Sequence, residues 1–269
     1  MTRAFAPLDL VRVSALTRSA VSLDLEGDVL LRRTPLMRAF LGLVGASPDV
    51  TLVLGPGETG SPPGFIQARP RAGGAAADLV RVAPDLAERG AALAWQRLLA
   101  DACQCLGARG VRRVYAALPS ADDVALQILQ RAGFAAFGAD TVYRLELGRR
   151  RLGAVGPIDP AAAHAAERLA ATERAAHERL VEGPESDWAT YPLGGRWPGR
   201  VATGALMAAE GDARGAWRVI DGAAGTWLRA VAVDEAAGRE AVAAALEATA
   251  RGPVWATARA HQAGLHAAL

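Results

Sequence analysis

The sequence predicts an α/β (α+β) protein of two domains, each a mixed, mostly antiparallel central sheet flanked by helices, and three observations carry that expectation. Val80 to Leu99 reads VRVAPDLAERGAALAWQRLL, a strand, a tight turn and a helix with almost no slack. Short β-branched runs alternate with helical segments on both sides of it. The segment PVWATARAHQAGLHAAL aligns with RVYAALPSADDVALQIL, setting Val254 on Val114, Trp255 on Tyr115 and Leu269 on Leu129, which reads as an internal repeat.

Leu79, Val80 and Val82 form the apolar strand of the central stretch, and Pro84 stops it. Apolar residues at 95, 98, 99, 102 and 106 then recur at helical spacing. Gly90, Ala91 and Ala92 open that helix without side chains that block its free N–H groups, and the macrodipole adds partial positive charge there, so a phosphate can sit against it. Close packing of helix on sheet is the other reading of so small-residued a start.

The 269 residues fit one or two domains at about 100 to 200 residues each. Hydrophobic residues make up 51% and aromatic residues only 5%, so the core must be built largely from Ala, Leu and Val. All 30 basic residues are Arg, which excludes a lysine nucleophile or Schiff base. A net charge of +2 without long single-sign blocks disfavours nucleic-acid binding, and Arg149 to Arg151 reads as a solvated linker. Cys103 and Cys105 lie two apart on a helix and point in different directions, so neither a bridge nor a metal pair is expected. With no signal-like opening and no apolar run of about 18 residues, no membrane association and a cytoplasmic location are expected.

In chain order, Thr2 to Phe5 forms a strand and Asp9 caps a helix to about Leu16. Pro35 to Val44 places Leu36, Met37, Phe40, Leu41 and Val44 at helical spacing. Val50 to Leu54, Gly64 to Arg71 and Ala77 to Val82 are antiparallel neighbours, the first two joined by the loop GPGETGSPPG. The central helix closes at Leu106 before Gly107, and Val111 to Leu118 is the next strand, which makes a crossover unit. In ADDVALQILQRAGF, Ala125, Ile128, Leu129 and Ala132 line one helical face before Gly133 ends it. Phe134 to Phe137 and Thr141 to Leu147 supply two closing strands.

Val82, Pro84, Gly90 and Ala92 resemble, in register, the acetyl-CoA motif of the GNAT superfamily of N-acetyltransferases, in which a Val-x-Pro-Glu strand end leads into Q/R-x-x-G-x-G/A. Asp85 stands for the acidic residue and Ala87 for the Gln or Arg. The ADDVALQILQRAGF segment resembles the family's Asn-x-x-Ala-x-x-x-Tyr-x-x-x-Gly-Phe, with Asp122 in place of Asn and Leu129 in place of the Tyr that protonates the leaving thiolate. The resemblance covers about residues 1–148. It implies an acyl group passed from acetyl-CoA, or another acyl-CoA, to an amine of an acceptor, with no metal.

In such a fold the acyl-CoA arm threads the gap where the fourth and fifth strands part. This implies contacts with the strand edge at Val80, Arg81 and Val82, with the cradle Ala87, Glu88, Arg89, Gly90, Ala91 and Ala92, and with Asp122. The helix from Pro35 would lie on the face that admits the acceptor. Asp78 is the candidate base, because family bases often lie on that strand. Tyr143 and Tyr115 are the hydroxyls left to replace the missing acid. The rival expectation is a catalytically inactive acyl-CoA-binding or structural module, which Ala87 and Leu129 favour.

The linker 149–158 precedes a second domain, 159–269. Asp159 and Pro160 start a helix to about Val181. Gly183 to Arg200, with Trp188, Tyr191 and Trp197, is a long loop. Val201 to Ala209, Ala216 to Ile220 and Thr226 to Val233 are strands, Glu235 to Ala250 a helix and Pro253 to Ala258 a strand. This half resembles a degenerate, shortened second copy, as in tandem GNAT proteins. Its turn VDEAAGREAV lacks a cradle glycine, so no second CoA site is assigned, and its sheet is expected to keep an unpaired edge, covered by the first domain or by another chain in a homodimer. His164, His177, His261 and His266 lack metal spacing, and no G-x-S-x-G nucleophile elbow occurs.

Overall fold

Apolar alternation and helical spacing give two separate sheets in the computed structural model, which describes residues 2–31, 33–56, 61–71, 73–145, 160–173, 181, 201–208, 211–249 and 253–269. The chain divides into two compact units. One holds the described residues of Met1–Asp28 and Arg33–Ala135, the other those of Val29–Arg32, Ala136–Tyr191 and Trp197–Leu269.

In the first unit the elements are β1 (Thr2–Ala4), α1 (Leu10–Leu16), β2 (Val21–Ser22), α3 (Pro35–Leu43), β3 (Val50–Leu54), β4 (Gly64–Pro70), β5 (Ala76–Ala83), α4 (Ala91–Ala108), β6 (Arg113–Tyr115) and α5 (Asp123–Arg131). The helix α2 (Leu25–Leu31) straddles the division. The sheet runs β1-β3-β4-β5-β2, with β6 also on β5. All its pairs are antiparallel except β5 with β6. The apolar positions foreseen for α4 bury Trp95, Leu98, Leu99, Ala102 and Leu106 against Leu52, Leu54, Ile66, Ala68, Leu79 and Val82 of the sheet. Trp95 is 0% exposed, and its Nε1 donates to the Pro84 carbonyl at 2.7 Å, tying the helix to the turn before it.

The second unit carries β7 (Asp140–Leu145), α6 (Pro160–Thr172), β8 (Val201–Met207), β9 (Ala213–Asp221), β10 (Thr226–Ala232), α7 (Glu235–Glu247), β11 (Val254–Arg259) and α8 (Ala263–Ala268). Its sheet order is β7-β11-β10-β9-β8. Ala241, Val242 and Ala245 of α7 pack on Trp217, Val219, Leu228, Ala230, Val254 and Ala256. Ala166, Leu169 and Ala170 of α6 pack with Ala216 and Val231. The order β3-β4-β5-α4-β6-α5 recurs as β8-β9-β10-α7-β11-α8, with the same antiparallel trio and the same parallel crossover.

Several expectations change. Thr141 to Leu147 does not close the first sheet; β7 pairs antiparallel with β11 over six residue pairs, from Leu145 on Val254 to Asp140 on Arg259. The second sheet therefore has no uncovered β11 edge, and the first compact unit ends at Ala135 instead of near 148. Alternating residues fix a strand's faces but not its partner. Phe134 to Phe137 is no strand, because the Phe134 N–H bonds back to the Leu129 carbonyl past Gly133, which has φ +93°, and ends α5. The strand Val111–Leu118 contracts to β6, and β2 and α2 were not foreseen. The linker 149–158 and the Trp188–Trp197 loop lie outside the described residues.

Asp9 does not cap α1 with its side chain. It instead accepts the Ala6 N–H at 3.0 Å and pairs with Arg3 at 2.6 and 2.7 Å. Burial alone would raise its carboxyl, but the Arg3 hydrogen bonds, the Ala6 N–H and the charges of Arg3 and Arg12 outweigh that and hold it below the ordinary carboxylate range. Its stabilisation is thus present above about pH 4, the ordinary carboxylate value, and is lost as pH falls through the folded-state value. Asp9→Asn is expected to remove this part of the acid limb; an unchanged acid limb in denaturation measured across pH 2 to 6 would contradict that.

Candidate functional site

The turn from β5 into α4 is built almost wholly from backbone. Asp85 Oδ1 accepts the Ala87 N–H at 2.9 Å, and the Asp85 carbonyl accepts that of Glu88 at 3.0 Å. Gly90, the N-cap, sits at φ +81°, a left-handed conformation that favours glycine, and offers no capping side chain. The N–H of Ala91 goes to the Glu88 carbonyl, and those of Leu93 and Ala94 go to the Gly90 carbonyl. Ala92 is exposed, and its N–H has no acceptor among the described residues. Ala87, Glu88 and Arg89 are exposed beside it, whereas Ala91 is buried. An 18-residue helix thus presents an open N-terminus with about half a unit of positive charge, where the N–H groups of Arg89, Gly90 and Ala92 have no acceptor among the described residues.

Below this turn β5 carries a bulge. Gln67 pairs with Arg81 and Ala68 with Leu79, which leaves Val80 extra on the strand. On its other side β5 pairs with β6 only from Ala76 to Asp78, opposite Arg113 to Tyr115, and the two strands then part. The edge beyond was expected to be free at Val80, Arg81 and Val82, and it is not. Val21 and Ser22 of β2 pair with Val82 and Arg81, the Leu23 N–H reaches the Val80 carbonyl at 2.9 Å, and the Ala117 N–H reaches the Leu23 carbonyl at 3.2 Å. Ser22 Oγ donates to Asp28 Oδ2 at 2.6 Å, and Arg81 Nη2 meets Asp28 Oδ1 at 2.7 Å. A two-residue strand is too short to be read from periodicity, so this occupant had no sequence signal.

The other expected residues are dispersed. Asp78 grips Arg71 with both oxygens, at 2.6 to 3.1 Å, and lies 3.7 Å from Arg69. Its lone pairs are committed to guanidinium, which suits an ion pair and not a base. Tyr115 is buried with the Arg71 guanidinium 4.3 Å from its ring centre. Asp122 Oδ1 accepts the Ala125 N–H at 3.0 Å and caps α5, so it completes a helix end. Leu129 is core.

Tyr143 belongs to β7 and hence to the second unit. Its hydroxyl lies 2.8 Å from His266 Nδ1, and His266 Nε2 lies 2.9 Å from the Arg259 carbonyl. A carbonyl only accepts, so the neutral ring carries its proton on Nε2 and takes the Tyr143 O–H at Nδ1. In that unit the start of α7, the counterpart of α4, is closed. Asp234 Oδ1 accepts the Ala237 N–H at 2.8 Å, putting a carboxylate where an anion would sit. Gly264 of α8 lies against it so closely that a Cβ there would come within 2.8 Å of the Asp234 and Glu235 backbone.

No protein-family model matches the chain, and no curated protein sequence matches it.

Two further features of the first unit escaped the sequence. Arg38, 0% exposed, has its Nη1 3.8 Å from Asp49 Oδ2 and no hydrogen-bond acceptor among the described residues; burial, and then the charge of Arg69, hold its pKa below the usual arginine value. The stripe Met37, Phe40 and Val44 of the Pro35 segment is exposed, while Pro35, Arg38 and Ala39 are buried and Leu36 packs against the cluster of Phe5, Val13 and Phe65. A cleft of about 470 Å³ lies beside it, lined by Ser14, Ala15, Thr17, Arg18, Thr34 and Leu36. The cleft does not include the α4 turn. Among the described residues no helix is long and apolar enough to cross a membrane.

Proposed function

We propose that the first unit is an acyl-CoA-binding module of N-acetyltransferase type, holding the cofactor's phosphates at the start of α4 without residues placed for acyl transfer. The observation that carries this reading is the helix start at Gly90 to Ala92, which has no capping side chain, is exposed at Ala92 and follows, across the turn 84–90, a bulged strand that parts from its parallel neighbour. Such a terminus receives phosphate through a backbone donor and the helix dipole. Binding rather than transfer is favoured because Asp78 is held by Arg71, Leu129 cannot donate a proton, and the Tyr143 hydroxyl is taken by His266. These three residues then supply neither an amine base nor a thiolate acid, a loss of roughly 10² to 10⁴ in rate for each.

Calorimetric titration with CoA, followed by a thioester-turnover assay with a panel of amines, tests this. Saturable binding without turnover is the expected result. Turnover would restore the direct N-acyltransferase, and absence of binding would reduce the fold to a structural scaffold. Ala92→Glu is expected to abolish the titration, since it sets a carboxylate beside the unspent N–H groups without backbone strain; undiminished affinity would remove the site from α4. Gly90→Glu is the less clean variant, because φ +81° strains any side chain there.

A further inference from the structure

The helix α3 is inverted. Its side chains that reach solvent, Leu36, Met37, Phe40, Leu41 and Leu43, are all apolar, and its one charged residue, Arg38, is buried. A surface helix ordinarily turns its charged residues to water and its apolar ones inward. Here Met37 is 54% exposed, Phe40 49%, and Val44, just past the helix, 56%. This ridge leads into the cleft of about 470 Å³, because Leu36, one turn before Phe40, is part of the cleft wall. The α1 wall repeats the pattern: Ser14 and Ala15 line the cleft, and Val11, one turn earlier, is 81% exposed.

The cleft itself offers donors. Arg18 makes no ion pair or hydrogen bond among the described residues, and the exposed Ser14 hydroxyl is likewise unengaged. Thr34 Oγ1 accepts the Met37 N–H at 3.2 Å, which leaves its own proton to donate. No acidic residue lines the cleft. A guanidinium and two hydroxyls without a competing carboxylate select an anionic head, and the apolar ridge beside them selects an apolar tail. The volume lies in the range of small-molecule sites. We propose that the cleft between α1 and α3 binds a single-chain anionic amphiphile of the fatty-acid class, with its carboxylate at Arg18, Ser14 and Thr34 and its alkyl chain along Leu36 and Phe40 toward Val44. A membrane-surface helix carries cations along its polar face, whereas the exposed side of α3 carries none and the donors line a concavity, which favours one enclosed chain over a bilayer. A second copy meeting this face through the same face would bring another Arg18 and no carboxylate.

Calorimetric titration of the full-length protein with laurate, below its micellar concentration, is expected to show one saturable site. Octyl glucoside, a tail with a neutral head, and acetate, the head without the tail, are expected to bind at least about tenfold more weakly. Arg18→Gln and Phe40→Ser are each expected to weaken laurate by a similar factor. Both side chains are exposed, so the fold is expected to stand, which circular dichroism checks. No saturable laurate binding, or undiminished affinity in either variant, would overturn the site. Binding to phosphatidylglycerol vesicles but not to laurate would overturn it in favour of a membrane surface, and a dimer that ignores laurate and is broken by Phe40→Ser would do so in favour of a subunit interface. The CoA titration is read separately and its outcome does not bear on the cleft, which does not include the α4 turn.

Discussion

Trp95→Ala is expected to destabilise the first unit by about 3–5 kcal/mol, a large share of the roughly 5–15 kcal/mol that holds a domain folded. Trp95 is the largest fully buried side chain among the described residues, and its removal opens a cavity between α4 and the sheet. It also leaves the Pro84 carbonyl without the indole N–H that now meets it at 2.7 Å. Trp95→Phe separates the two effects, because it keeps most of the volume and loses the donor, at about 1–3 kcal/mol. Urea denaturation followed by circular dichroism reads both. A loss below about 1 kcal/mol for the alanine variant would mean that α4 is not seated as described.

The second large effect concerns β7. A fragment 156–269 lacks the strand that covers β11 over six residue pairs, and is expected to be poorly folded or to aggregate through the exposed edge. Extending the fragment back to Ala136 restores β7 and is expected to recover a cooperative thermal transition. If 156–269 alone were monomeric with dispersed amide resonances, β7 would be dispensable and the β7–β11 pairing incidental. The contrast also separates strand loss from a general intolerance of truncation, since both fragments omit the whole first unit.

Most elements that rest on local pattern were legible in the sequence, though α2 and the turn that replaces the expected Phe134–Phe137 strand were not. The helix α4 follows from apolar residues at 95, 98, 99, 102 and 106, its start follows from Gly90 to Ala92, and the repeat of Val114 in Val254 places two strands in corresponding positions. What escaped was pairing across distance. Nothing local says that Thr141 to Leu145 joins β11, or that Val21 and Ser22 take the edge of Val82 and Arg81. The candidate site divides along the same line. Its backbone cradle was readable, because glycine and alanine at a helix start have a direct physical meaning. Asp78, Asp122 and Tyr143 were not, because a carboxylate or hydroxyl takes its role from its partner, here Arg71, the Ala125 N–H and His266.

The most direct test of the cradle is the amide spectrum of the isotope-labelled protein during titration with adenosine 3′,5′-bisphosphate, a probe that carries the cofactor's phosphates without its acyl arm. The account predicts saturable shifts centred on Gly90, Ala91 and Ala92, with Ala92 moving most. Saturation with those amides unmoved, or shifts centred on the start of α7 at Asp234 to Ala237, would contradict it.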